Sequence, residues 1–137
     1  MNYRVTDHVT NEDVDEIHRE LKKYNLSKRE PSEDVPLGVF LEDSEGKKKA
    51  GLTGETFGNW LSIKYLWVSE EIRGQGVGSQ LLKGAEEEAV SRGAKYVFVD
   101  TFSFQAPEFY MKHGYEEVFY LFDYPYTGSR YYFIKEL

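Results

Sequence analysis

The spacing of apolar positions divides the chain into alternating strands and helices. Tyr3 to Val9 reads as a first strand. Asn11 is a good N-cap, and Val14, Ile17, Leu21 and Tyr24 follow at helical spacing, which predicts a helix ending near Leu26 to Lys28. Ser27 to Pro36 is polar, with prolines at 31 and 36, and reads as a loop. Leu37 to Leu41 is a short strand, Asp43 to Gly46 a turn, and Ala50 to Phe57 the next strand. Gly58-Asn59 forms a tight hairpin turn into Trp60 to Val68. By alternation Leu61, Ile63, Tyr65 and Trp67 share one face of that strand, and Ser62, Lys64, Leu66 and Val68 share the other.

A helix follows, Val77 to Arg92, with Val77, Leu81, Leu82, Ala85 and Ala89 as its apolar stripe and Glu86-Glu87-Glu88 as a solvated face. Gly93 closes it. Lys95 to Thr101 reads as a buried strand, and Ala106 to Lys112 as a short helix with Pro107 in its first turn. His113-Gly114 ends that helix, and Tyr115 to Leu121 and Arg130 to Leu137 are closing strands. The alternation indicates an α/β or α+β domain with a mixed sheet, and 137 residues suit one domain spanning residues 1–137.

Composition narrows the function. No apolar run reaches the length of a membrane span, and the N-terminus lacks the apolar stretch of a signal peptide. Cysteine is absent, which removes disulfides, thiolate metal sites and cysteine nucleophiles together. A cytoplasmic protein without membrane attachment is expected. His8, His18 and His113 are scattered without metal-ligand spacing, so no metal is expected. The net charge of −7 argues against nucleic-acid binding and suits a cationic amine as partner.

The strongest local signal is Arg73-Gly74-Gln75-Gly76-Val77-Gly78, at a strand-to-helix junction. Glycine tolerates positive φ and leaves the backbone open to close approach. A helix N-terminus offers free N–H groups and partial positive charge, which together bind phosphate. With Arg73 as a fixed cation, the stretch reads as a pyrophosphate cradle. Glycines also gather in ordinary capped turns, and on spacing alone the two readings stand level. No Gly-Lys-Ser/Thr follows, so the loop is not a P-loop, and it fits a dinucleotide fingerprint poorly.

Arg73-x-x-Gly76-x-Gly78 resembles the acetyl-CoA signature of the GNAT family of N-acetyltransferases. Asp100 to Tyr115, with Phe109-Tyr110 and Gly114-Tyr115, resembles that family's later cofactor motif, in the right order and separation. The resemblance implies a mixed, mostly antiparallel sheet flanked by helices, with parallel fourth and fifth strands that splay apart. It implies acetyl-CoA as cosubstrate. Its pantetheine arm would pair with backbone groups of Trp67 and Val68, and its pyrophosphate would sit on Arg73, Gly74, Gln75, Gly76, Val77, Gly78 and Ser79. Gln105 stands where many members carry an asparagine that contacts pantetheine or substrate.

The reaction implied is direct acyl transfer to a primary amine in a ternary complex, the amine belonging to a small molecule or a protein. Tyr110 matches the family's tyrosine and is assigned as general acid for the departing thiolate. Glu55 is the candidate general base, with Asp100 as the alternative, and a strand N–H near Val68 is the candidate oxyanion donor. No Gly-x-Ser-x-Gly stretch supports a covalent acyl-enzyme. Tyr120, Phe122, Tyr124, Tyr126, Tyr131 and Tyr132 either wall an amine pocket or form the centre of a homodimer. A CoA-binding module without catalysis is the alternative function.

Overall fold

The structure is a computed structural model and describes residues 1–28, 30 and 32–137. The chain divides into two units, residues 1–32 and 33–137. In the first, Tyr3 to Val9 forms no strand, contrary to expectation. An isolated extended segment has no ladder to satisfy its backbone, and no strand pairs with it among the described residues. Helix α1, Asn11–Leu26, starts one residue earlier in its cap than the sequence suggested. Thr10, not Asn11, is the N-cap: its Oγ1 accepts from the Asp13 N–H at 3.0 Å, and Asp13 Oδ2 accepts from the Thr10 N–H at 3.0 Å. The polar loop anticipated from Ser27 to Pro36 includes Arg29 and Pro31, which lie outside the described residues.

The second unit holds a six-stranded sheet ordered β1-β2-β3-β4-β6-β5. Its strands are β1 (Asp34–Glu42), β2 (Lys48–Phe57), β3 (Trp60–Val68), β4 (Tyr96–Phe102), β5 (Glu116–Leu121) and β6 (Arg130–Glu136). All neighbours are antiparallel except β3 and β4. A parallel pair needs a crossover, and helix α2 (Val77–Ser91) supplies it. Leu81, Leu82, Ala85 and Ala89 of α2 are buried with Ala50, Leu52, Leu61, Ile63, Val97, Val99 and Phe133 of the sheet. The anticipated stripe therefore forms the core. At the end of α2, Arg92 clamps the first strands: its Nη1 donates to the carbonyls of Val35 (3.1 Å) and Pro36 (3.0 Å) and to the buried Thr56 hydroxyl (3.2 Å). Glu86 departs from the solvated face expected of it, because its carboxylate accepts from Lys135 Nζ at 2.6 Å. Helix α3, Pro107–Lys112, precedes β5.

One irregularity governs the centre of the sheet. Thr53 lies opposite Tyr65 and Gly54 opposite Ile63, so Lys64 is an extra residue in β3. Such a bulge reverses the alternation beyond it. Leu61 and Ile63 are buried, but Leu66 and Val68 then turn to the core while Tyr65 and Trp67 are exposed. The single face expected for Leu61, Ile63, Tyr65 and Trp67 is thus broken in the middle. Gly54 makes room for the bulge: a Cβ there would collide with the Ser62 carbonyl oxygen. Gly54→Ala is expected to destabilise the fold by about 1–3 kcal/mol through overpacking, read as a lower urea midpoint. An unchanged midpoint would mean that the strands close over the extra residue without glycine.

Candidate active site

The bulge decides where backbone hydrogen-bonding groups point. Ser69 donates its N–H to Lys49 O at 2.9 Å, so Ser69 and Lys49 form a hydrogen-bonded pair of the antiparallel ladder. Pairing alternates along such a ladder, so Trp67 and Tyr65 bond toward β2, whereas Val68 and Leu66 turn their N–H and C=O groups away from it. On that other side β3 pairs with β4 only from Trp60–Tyr96 to Ile63–Val99. Beyond Ile63 the parallel strands part, and the main chain of Leu66 and Val68 faces the opening. Of the two residues expected to offer backbone contacts there, Val68 has its main chain turned toward the opening and Trp67 has its own turned toward β2. Leu66 is turned the same way as Val68.

The opening leads to the glycine loop. Gly74 and Gly76 both have φ +78°, and a Cβ at either would meet nothing within 4 Å. These positions combine left-handed backbone with open space, which is the shape of a cradle. Gly78 is glycine for another reason: a Cβ there would press on the Phe109 ring at 3.3 Å, so its absence lets α2 and α3 approach. Gly76 caps α2 without a side-chain bond, leaving the N–H groups of Val77, Gly78 and Ser79 in the first turn. Arg73 Nε donates to Val68 O at 3.0 Å, fixing the exposed guanidinium beside the mouth of the opening. Gln75 is exposed in the same loop. A cavity of about 470 Å³ lies against this helix end, lined by Gly76, Ser79, Gln80, Lys83, Gly84 and Glu87. These residues fit a pyrophosphate.

Tyr110 of α3 is buried, 6% exposed, with its ring 5.5 Å from Tyr115 and 6.0 Å from Phe133. Burial chiefly, and then the negative charge of Asp100, push its phenol up to about 12. It is therefore a firmly protonated group. Glu55 lies on the opposite face of the sheet from Phe133, since its neighbour Thr56 is the residue turned to the core. Its carboxylate pairs with Lys64 Nζ, the bulge residue, at 3.2 Å. It lines a cavity of about 440 Å³ with Asp34, Phe57, Trp60, Ser62, Phe98 and Ile134. Ser62 and Phe98 form the rung just before the strands part at Ile63 and Val99, so this cavity adjoins the opening.

Asp100, the alternative base, is committed elsewhere. Its Oδ2 accepts from Arg130 Nε and Nη2, both at 2.7 Å. Rings of Phe102, Tyr124 and Tyr132 surround that guanidinium at 5.4–5.6 Å. Gln105 is also occupied: its Oε1 accepts from the Phe102 N–H (2.7 Å) and the Thr101 hydroxyl (3.1 Å), stapling the turn after β4. The aromatic C-terminal segment splits between faces, with Tyr124 and Tyr132 on Arg130 and Tyr131 against Phe133.

Residues 38–117, more than half of the chain, match the acetyltransferase (GNAT) domain model. The chain belongs to the GNAT acetyltransferase family. It is similar to an acetyltransferase of Agrobacterium fabrum, 32% identical over 118 residues and 86% of each chain. It is 36% identical over 106 residues to the blasticidin-S acetyltransferase of Streptomyces morookaense, covering 74% of this chain and 78% of that one. A crystal structure of an acetyltransferase from Bacillus cereus superposes with TM-score 0.83 at 36% identity over 98% of both chains. In GNAT terms, β3 and β4 are the splayed parallel pair expected as the fourth and fifth strands. Helix α3, which carries Tyr110, and the glycine loop at the start of α2 meet through the packing of Phe109 on Gly78.

The buried phenols carry a pH signature. An unfolded tyrosine ionises near ~10, whereas folded Tyr110 holds its proton to about 12, and Tyr115 is pushed up as well, chiefly by burial. Above pH ~10 the unfolded chain loses protons that the folded chain keeps, so stability falls as pH rises through the folded value. Urea melts from pH 8 to 11 are expected to show constant stability and then a decline, with a shallower decline in Tyr110→Phe. An identical decline in that variant would place the alkaline sensitivity elsewhere.

Proposed function

We propose that the protein transfers an acetyl group from acetyl-CoA to a primary amine of a small molecule. The observation that carries this reading is the opening between β3 and β4, which presents the main chain of Leu66 and the N–H of Val68 and ends at the Gly74–Gly76 loop. An extended amide-bearing arm fits there as an added strand. The N–H groups at the start of α2 and Arg73 hold the pyrophosphate. Bound acetyl-CoA supplies an acyl group activated as a thioester.

The chain's own residues do the rest. The Val68 N–H, facing the opening, donates to the acyl oxygen as negative charge develops there. Tyr110 keeps its proton throughout the neutral range and delivers it to the sulfur. Glu55, on the other face, accepts the proton of the incoming ammonium directly or through water. Asp100 is held by Arg130 through two bonds of 2.7 Å, which favours Glu55, with its single and longer bond to Lys64, as the base. The Glu55 cavity, with Asp34 beside it and Phe57, Trp60 and Phe98 as walls, is of small-molecule size and suits an organic cation. The likeness to a blasticidin-S acetyltransferase supports a small-molecule acceptor.

Tyr110→Phe is expected to lower kcat by about 100-fold while changing acetyl-CoA affinity less than about twofold. Thiol release with a panel of amines and calorimetric titration of acetyl-CoA check the two halves. Unchanged kcat would remove Tyr110 from the chemistry. No acetyl-CoA binding by the wild type would remove the proposed reaction.

A further inference from the structure

Ser79 in the first turn of α2 is joined to His113 at the end of α3: the imidazole Nε2 lies 2.8 Å from Ser79 Oγ. The other ring nitrogen, Nδ1, lies 2.9 Å from the carbonyl oxygen of Phe109. A carbonyl oxygen only accepts, so Nδ1 carries a hydrogen in either charge state. The direction of the second bond then depends on the charge of the ring. In a neutral imidazole Nε2 is bare, and the Ser79 hydroxyl must donate to it. The hydroxyl proton then points at His113, and only lone pairs remain for a phosphate oxygen, which repels them. In the imidazolium, Nε2–H donates to Ser79 Oγ and releases the hydroxyl proton for a third partner.

We propose that His113 is a proton-linked positioning residue for the cofactor: protonation at Nε2 reverses its bond to Ser79 and turns the Ser79 hydroxyl toward the pyrophosphate. The inference rests on the placement of the pyrophosphate at Gly74–Ser79 proposed above. His113 is half-buried, with the Phe109 ring at 4.6 Å. Charged groups on the two packed helices are Lys83, Glu86, Glu87 and Glu88 of α2 and Glu108 and Lys112 of α3; Lys83 and Glu87 line the Ser79 cavity and pair with each other at 3.8 Å, Glu86 pairs with Lys135 and Glu88 with Arg92. Among the described residues none of them forms an ion pair with His113. The incoming diphosphate is thus the charge that selects the imidazolium, and binding and protonation strengthen each other by the same factor.

The test is calorimetric titration of dephospho-CoA into the full chain in buffers of different ionisation enthalpy, which counts protons taken up per ligand. The 3′-phosphate of CoA itself titrates at about pH 6, whereas the bridging diphosphate has fixed charge near neutrality, so this ligand isolates the protein's proton. Net proton uptake on binding is expected, with affinity falling about tenfold between pH 6 and pH 8. His113→Gln, whose amide can bond Ser79 without titrating, is expected to bind dephospho-CoA with no uptake and a flat pH profile. Ser79→Ala is expected to lose the uptake too. Equal uptake in wild type and His113→Gln would overturn the switch and leave the cradle standing. Absence of dephospho-CoA binding in the wild type would overturn the cradle and the switch with it.

Discussion

A single extra residue in a central strand is the constraint on which the site depends. Lys64 has no opposite residue in the β2 ladder, and the ladder beyond it is displaced by one position. A β-strand has a strict period of two, so the displacement exchanges inside and outside for everything that follows. Leu66 and Val68 become core residues, and their peptide groups turn from β2 to the side where β4 has already left. Interior backbone groups without partners are costly, which is why sheets rarely part in the middle. Here Arg73 takes up the Val68 carbonyl, the Leu66 main chain and the Val68 N–H face the parted strands, and the glycine loop lies directly beyond them.

In the proposed reaction the opening also separates the two chemical roles. On the α2 side, Tyr110 is packed among Tyr115 and Phe133, where burial keeps its phenol protonated. On the other face, Glu55 lies in a cavity walled by aromatic rings. An acid and a base on opposite faces of one sheet do not quench each other, and the reacting acyl group can lie between them. Asp100 reaches toward this region as well, but Arg130 and three aromatic rings hold it in a closed pair. Its charge acts on Tyr110 at a distance, adding to the burial that disfavours the phenolate.

Most of the architecture was legible in the sequence because its signals are local. The hairpin at Gly58-Asn59, the stripe of α2 and the paired motifs around Gly76 and Tyr110 all rest on residues near one another in the chain. The misses share a different cause. Tyr3 to Val9 has strand composition, but composition does not supply a neighbouring strand. The single face read for Leu61, Ile63, Tyr65 and Trp67 is broken, because a bulge depends on the pairing of two strands and leaves only Gly54 as a trace. Nor does composition show that the Gln105 Oε1 bonds the Phe102 backbone three residues away. The His113–Ser79 contact spans 34 residues, and no spacing rule reaches it.

Amide hydrogen exchange at single-residue resolution, with and without saturating acetyl-CoA, tests the central point most directly. In the free protein, Tyr65 and Trp67 should exchange slowly because they bond to β2, while Leu66 and Val68 exchange faster because they face the opening. Acetyl-CoA should slow Val68 and leave Trp67 unchanged. Slow exchange at Leu66 and Val68 without ligand, or no response of Val68 to acetyl-CoA, would contradict the role given to the bulge.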